Sequence, residues 1–444
     1  MIALENCPHW KTGNPKTLIE EKKGINKKPE NEYIKILKNP NLLEMINEEF
    51  AKKVVGEEES RKVIFMVSNM RNVANLNKGS DNLIVNAISG TGKDHLTTAI
   101  FDIIPDEEKE ELIRTTPKVL AYTRNKTINE NVSWKKTTLR MEDVSSNVIN
   151  DDSFKVISSS DPNGLNIGKT LIKQKVLEIV IEGKPSMILT IANYNIRDEG
   201  LRRFPTIFLN EGINQTKEIL KRQSEYAMKG IPLEYNSNIK QSLRFLKRIK
   251  VKILYADKLV SIFENSTQNV IVRTTFPRFL DYIKSSASLF QYQRKTDSEG
   301  YIIADEKDYE IGSLCLKKTT NNLFMIPLSK LDKSIHNFFK IKKLKMVSVD
   351  ELLDFDKIQK LGKSDRWIRF RLDFLVSKGF LERDSVKEKH SFKPIVKYSF
   401  KEVGDFLIPK FEELFKNTSN SSNTSNNTNN TNTSNSKKEG VFEV

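Results

Sequence analysis

Apolar residues recur along this chain with two different periods, and the change of period divides it. Between 41 and 75 they fall at helical spacing: Leu43, Ile46, Phe50 and Val54, then Val63, Phe65, Met66 and Met70. From 83 to 210 short apolar runs take over, and strands are expected at 83–88, 137–142, 154–158, 187–193 and 206–209. Strands alternating with helix-like runs predict a parallel α/β sheet covered by helices. Residues 211–290 return to helical spacing through Ile219, Leu220, Tyr226, Leu243, Phe245, Leu246 and Ile249, punctuated by Pro232 and Pro277. A hairpin is expected over 294–303, around Ser298-Glu299-Gly300.

Residues 346–404 have another character. Ser348 opens a short helix as its cap, with Glu351 three residues on. Ser364 to Leu375 reads as a longer amphipathic helix, stopped by Gly379. Phe380-Leu381-Glu382-Arg383 and 395–400 read as two strands flanking a basic turn, Lys387 to Lys393. Helix, helix, strand, turn, strand is the order of a winged helix-turn-helix. At the ends, residues 1–38 form a polar, Lys-rich arm broken by Gly13, Pro15, Gly24 and Pro29. Residues 405–444 are expected as a tail, with only Asn, Thr and Ser over 417–436 and an apolar tip at Val441-Phe442.

Composition narrows the partners. A net charge of +15 suits a polyanion, nucleic acid first. No apolar run approaches about 18 residues, so no membrane span is expected. The first residues lack a basic region followed by an apolar stretch, so no secretory leader is expected. Cys7 and Cys315 are the only cysteines and lie far apart, so no disulfide framework is expected and the cytoplasm is the default compartment. Cys7-Pro8-His9 has no second ligand pair nearby, which argues against a metal site there.

The chemistry concentrates in Asn86-Ala87-Ile88-Ser89-Gly90-Thr91-Gly92-Lys93-Asp94-His95. It follows the strand Leu83-Ile84-Val85 and precedes a helical run from Leu96. Strand, glycine-rich turn, lysine, helix is a phosphate-binding loop, whose backbone N–H groups and helix N terminus face polyphosphate. Ser89, Gly90, Thr91, Gly92, Lys93, Asp94 and His95 are the candidate ATP-binding residues. Two positions depart from the usual loop: Ala87 replaces the first glycine, and Asp94 stands where a Ser or Thr holds Mg²⁺. Alanine is compatible with a negative φ. Asp94 leaves two outcomes open, a carboxylate that takes over the Mg²⁺ or a site that binds nucleotide poorly.

Hydrolysis needs further groups. Thr137 to Val144 is strand-like, despite Arg140, and closes on two acids, Glu142 and Asp143. Glu142 joins Asp94 as a candidate Mg²⁺ ligand. The apolar run 187–193 ends in a polar amide, Asn193, and Arg202 and Arg203 precede the last strand of this region. Glu142, Asp143, Asn193, Arg202 and Arg203 form the candidate catalytic set.

In this order, about residues 40–290 resemble the AAA+ ATPase/helicase domains of mobile genetic elements, often associated with primases. The stretches that carry the resemblance are Val54-Val55-Gly56-Glu57-Glu58, Thr115 to Tyr122, Leu201-Arg202-Arg203-Phe204-Pro205 and Ser288 to Arg294. It implies an α/β P-loop AAA+ core at 39–210, an α-helical lid and connecting region at 211–345, and a C-terminal winged helix at 346–404. It further implies ATP-driven work on DNA in replication, Mg²⁺ dependence, a homo-oligomeric ring or filament in which Arg202 or Arg203 reaches a neighbour's phosphate, and a replication partner such as a primase. Lys363, Arg366, Arg369 and Arg371 on the second helix, with Lys387, Lys389 and Lys393 on the turn, are the candidate DNA contacts. The competing expectations are a DNA-binding regulator with a degenerate nucleotide site and a scaffold that docks partners through 437–444.

Overall fold

The computed structural model describes residues 30–87, 90–113, 120, 123–172, 175–192, 198–229, 236–266, 272–324, 334–335, 338–339, 346–355, 364–377, 381–386, 395–400 and 408–416. The arm before residue 30 and the Asn/Thr/Ser tract with its apolar tip lie outside them.

Helices α1 (Glu30–Leu37), α2 (Leu42–Lys53) and α3 (Glu58–Asn69) come first. The helical spacing of the sequence translates directly into burial. Leu43, Ile46, Phe50, Val63, Phe65, Met66 and Met70 all enter one core. The chain then lays down β1 (Asn82–Asn86), α4 (Lys93–Ile103), β2 (Lys109–Leu112), β3 (Thr138–Met141), α5 (Ser146–Ile149), α6 (Asp152–Ser158), β4 (Leu165–Ile172), β5 (Lys175–Glu182), β6 (Ser186–Ile191), α7 (Asp198–Arg203) and β7 (Thr206–Phe208). Five of these strands make one parallel sheet in the order β2-β3-β6-β1-β7. Every residue of β1, β3 and β6 is buried, as a sheet covered on both faces requires.

Four of the five expected strands correspond to β1, β3, β6 and β7. The run 154–158 does not: it is helix α6, with Phe154 and Ile157 buried one turn apart and Val156 exposed. Burial at i and i+3 is the helical period, which so short an apolar run leaves ambiguous. Two features went unforeseen. Strand β2 reads Lys-Glu-Glu-Leu, a charged sheet edge whose side chains conceal its backbone role. Strands β4 and β5 form an antiparallel hairpin between β3 and β6.

Beyond β7 come α8 (Ile213–Lys229), α9 (Ser237–Leu243), β8 (Val251–Lys252), α10 (Val272–Leu289), β9 (Ile302–Ile303) and α11 (Glu306–Phe324). Helix α10 runs through Pro277, which the sequence suggested as a break. The expected hairpin at 294–303 is one antiparallel bridge, Thr296 to Ile302, around Gly300 at φ +81°. Helices α10 and α11 fall in the region expected as a lid, yet Phe279, Tyr282, Ile283, Tyr309 and Leu316 share the core of α2–α4. They approach closely where Gly312 meets Ile283, and a Cβ there would lie 2.6 Å from the Ile283 side chain. No helix among the described residues is long and apolar enough to cross a membrane.

A second core, around Trp134, Leu139, Phe154, Leu189 and Phe204, packs on the sheet, and a third gathers around Phe339, Val349, Leu352, Ile368, Leu372, Leu375, Leu381 and Tyr398. It joins β10 (Val347–Ser348), α12 (Val349–Leu353), α13 (Asp365–Ser377), β11 (Leu381–Val386) and β12 (Ile395–Phe400), with strand order β10-β12-β11. The expected capping box is present, Ser348 accepting from the Glu351 backbone and Glu351 from that of Ser348. Residues 408–416, expected to head the tail, instead rejoin the first core. Ile408 and Phe411 pack there ahead of α14 (Glu413–Lys416), and Leu414 packs there from within it.

Candidate nucleotide site

The phosphate loop crosses from β1 to α4, and its glycines explain its shape. Gly90 and Gly92 have φ of +89° and +88°, a region that L side chains avoid. A Cβ on either would meet nothing within 4 Å, so the loop opens onto free space. Ala87 is absent from the positive-φ residues, which is why alanine replaces glycine there without strain. Gly92 is the N-cap of α4 and no side chain caps that end. The N terminus of an 11-residue helix therefore faces the opening with uncapped N–H donors. Such a cradle fits a polyphosphate.

Lys93 is 4% exposed and turns inward to two carboxylates, Asp143 at 2.9 Å and Asp94 at 3.5 Å. Burial alone would lower its pKa, but those two carboxylates raise it overall. Thr190 of β6 joins the acids. Its hydroxyl donates to Asp94 Oδ1 at 2.6 Å and accepts from the Asp143 backbone N–H at 3.0 Å. Asp143 has φ +44°, a left-handed conformation that Asp tolerates better than most residues. There it leaves the strand alternation and meets Lys93. The strand order makes this possible, because β6 lies between β1 and β3 and carries Thr190 into the gap between loop and acids.

The two adjacent acids separate. Asp143 faces Lys93, whereas Glu142 pairs with Arg140 at 2.5 Å. Asp94 and Asp143 are thus the carboxylates placed to hold a divalent cation beside the loop, and Glu142, expected in that role, is engaged elsewhere. Among the described residues no three His, Cys, Asp or Glu gather as a cage, so any cation here must share its coordination with nucleotide and water. His95 does not face the loop opening: its Nε2 lies 3.0 Å from the Lys53 carbonyl oxygen. Ser89 and Asn193 lie outside the described residues. Thr190 was missed because a threonine inside an apolar strand reads as filler.

Arg202 and Arg203 end helix α7, rather than occupying a turn. Arg202 is exposed, while Arg203 donates to Ser159 Oγ at 2.6 Å. The Arg203 carbonyl accepts from Asn82, the first residue of β1, whereas the phosphate loop leaves the other end of that strand. These arginines therefore stand at the opposite end of the strands from their own Lys93.

The chain's relationships agree with this geometry. The family described as the MTBMA_p00010 P-loop domain matches residues 27–249, just over half of the sequence. The chain belongs to this P-loop family. A search of the curated proteins returned no match. The matched span contains the whole five-stranded sheet, the loop and the cluster of Lys93, Asp94, Asp143 and Thr190. Nucleotide binding is accordingly the general property of the family's P-loop domain, usually with Mg²⁺.

In the C-terminal unit, Arg366, Arg369 and Arg371 lie on α13. Arg369 is paired with Asp365 at 3.2 Å and Asp350 at 3.5 Å, and Arg371 lies 4.4 Å over the Phe374 ring. Arg366 is exposed. Lys363, Lys387, Lys389 and Lys393 lie outside the described residues.

Proposed function

We propose that this chain is an AAA+ ATPase that couples ATP hydrolysis to work on DNA in replication, of a mobile element, as a helicase, initiator or loader. The observation that carries the proposal is the convergence of Lys93, Asp94, Asp143 and Thr190 at the mouth of the phosphate loop. The loop and the N terminus of α4 bind the phosphates, and Lys93 exchanges its carboxylate partners for them. Asp94 and Asp143 hold Mg²⁺, which when bound neutralises charge that builds on the phosphates. Glu142 orients the attacking water. Arg202, exposed and remote from its own loop, serves a neighbouring subunit, so the working form is an oligomer.

The DNA reading draws on the C-terminal unit and on the net charge of +15. Two helices against a three-stranded sheet follow the winged-helix order, and α13 carries Arg366 on its exposed side. Arg366 contacts phosphate, with Lys387, Lys389 and Lys393 from the basic sequence between β11 and β12.

The test is Mg²⁺-dependent ATP turnover, titrated with single- and double-stranded DNA. Turnover should rise with one of them, and Lys93→Ala should lower it on the order of 10²-fold or more. Turnover that is absent in the wild type, with DNA binding intact in Lys93→Ala, would identify a DNA-binding regulator without hydrolysis.

A further inference from the structure

Arg140 is a charge in the middle of a fully buried strand, which is unfavourable unless its partners are excellent. They are. Its side chain is 6% exposed, and its guanidinium reaches two other elements and the acid that follows its own strand. Glu111 of β2, its register partner, accepts from Nε at 3.0 Å and from Nη2. Thr98 of α4 accepts from Nη1 at 2.7 Å. Glu142, two residues further on and so on the same strand face, binds Nη1 through Oε1 at 2.5 Å. Thr98 in turn donates to the Asp94 carbonyl at 2.7 Å. One buried guanidinium thus links the first turn of the phosphate-loop helix to the acid that follows β3.

We infer that Arg140 is a positioning residue for hydrolysis: it anchors Glu142 by one carboxylate oxygen and leaves the other to orient water. Among the described residues the Glu142 carboxylate pairs with Arg140 alone, and the close contact is to Oε1. Its orientation is set from behind by a group that Glu111 and Thr98 hold still. Through Thr98, the same group fixes Glu142 relative to the turn that carries Lys93 and Asp94. This inference rests on the ATPase reading, in which Glu142 acts on the attacking water.

The experiment measures steady-state turnover and the affinity for a fluorescent ATP analogue in the full chain, with thermal melting as the folding control. Glu142→Gln tests the parent reading and should lose about 10²–10⁴-fold in kcat. Arg140→Gln should lose kcat on the order of 10²-fold, with KM and analogue affinity unchanged. Arg140→Lys should recover part of that loss. The double variant should fall no lower than Glu142→Gln alone, because Arg140 acts through Glu142.

Parallel loss of analogue binding, or losses that multiply in the double variant, would make Arg140 a structural residue and overturn the inference. A rise in turnover in Arg140→Gln would overturn it too, since the pair would then be a restraint. Where Arg140→Gln does not fold, Arg140→Lys decides: reduced kcat at unchanged affinity supports the inference, and wild-type kcat refutes it. Full turnover by Glu142→Gln sinks the parent reading, and the inference with it.

Discussion

At Asp94 a carboxylate stands in the first turn of α4, where the usual loop has a hydroxyl, and a hydroxyl from β6 meets it. Thr190 donates to Asp94 at 2.6 Å, so the strand supplies the group that the loop lacks. With Asp143 nearby, two negative charges hold Lys93 before any phosphate arrives. A bound cation relieves the repulsion between these acids and phosphate, so nucleotide affinity should depend steeply on Mg²⁺. Asp94→Ser removes one charge. It should raise the Mg²⁺ concentration for half-maximal nucleotide binding roughly tenfold, equivalent to about 1.4 kcal/mol of lost metal interaction. It should also strengthen nucleotide binding in the presence of a chelator. A Mg²⁺ titration of analogue binding measures both, and an unchanged midpoint would remove Asp94 from the metal site. The loop itself was legible because Gly90, Gly92 and Lys93 are local signals at fixed spacing. Thr190 was not, because its role exists only once β6 lies between β1 and β3. Arg140 looked wrong for a strand for a real reason, since its compensating partner Glu111 sits on a strand that has no strand-like sequence.

At the scale of elements, the sheet was readable from apolar runs, while the features that depend on pairing were not. The β4–β5 hairpin illustrates this. Ile179 and Ile181 are buried at period two and Val176 is exposed, a pattern available in the sequence but outweighed by its lysines and glutamates. One end of the hairpin is clamped electrostatically. Glu182 binds Lys135 at 2.7 Å and Lys126 at 2.9 Å, and its carbonyl accepts from the Trp134 backbone. Hydrogen bonds from Lys135 and Lys126 hold the Glu182 carboxyl down at about 2, against an ordinary value of 4.5. Because the folded value is depressed, the clamp stabilises the fold fully above the ordinary value and loses its contribution as pH falls toward about 2. Glu182→Gln should be less stable than wild type at about pH 6, with most of that gap gone at about pH 2. Urea midpoints at the two pH values read the difference, and a gap that is constant with pH would assign Glu182 a packing role only.

At the scale of the whole molecule, the C-terminal unit is attached to the first core at both of its ends. Helix α11 leaves that core ahead of the unit, and residues 408–416 return to it afterwards. The return lands on the start of α11. Tyr309 donates to the Pro409 carbonyl at 2.6 Å, and Phe411 sets its ring edge-on to Tyr255 at 5.1 Å and lies 5.5 Å from the ring of Tyr309. Burial pushes the Tyr309 phenol up to about 12, so it remains a donor across the working pH range. Two attachments restrict how far a unit can swing more than one does, and any force on the unit reaches α11 and the core by two routes. Leu414 is buried, and Phe411 supplies ring contacts to both Tyr255 and Tyr309. Phe411→Ala should weaken local closure by about 1–3 kcal/mol, the range for a partly buried aromatic whose site can relax. Amide exchange within 408–416 should accelerate by roughly 5- to 150-fold in consequence, while amides of β1 and β6 keep their protection. Exchange that accelerates equally across the sheet would mean that the return segment is part of the global fold rather than a separable clasp.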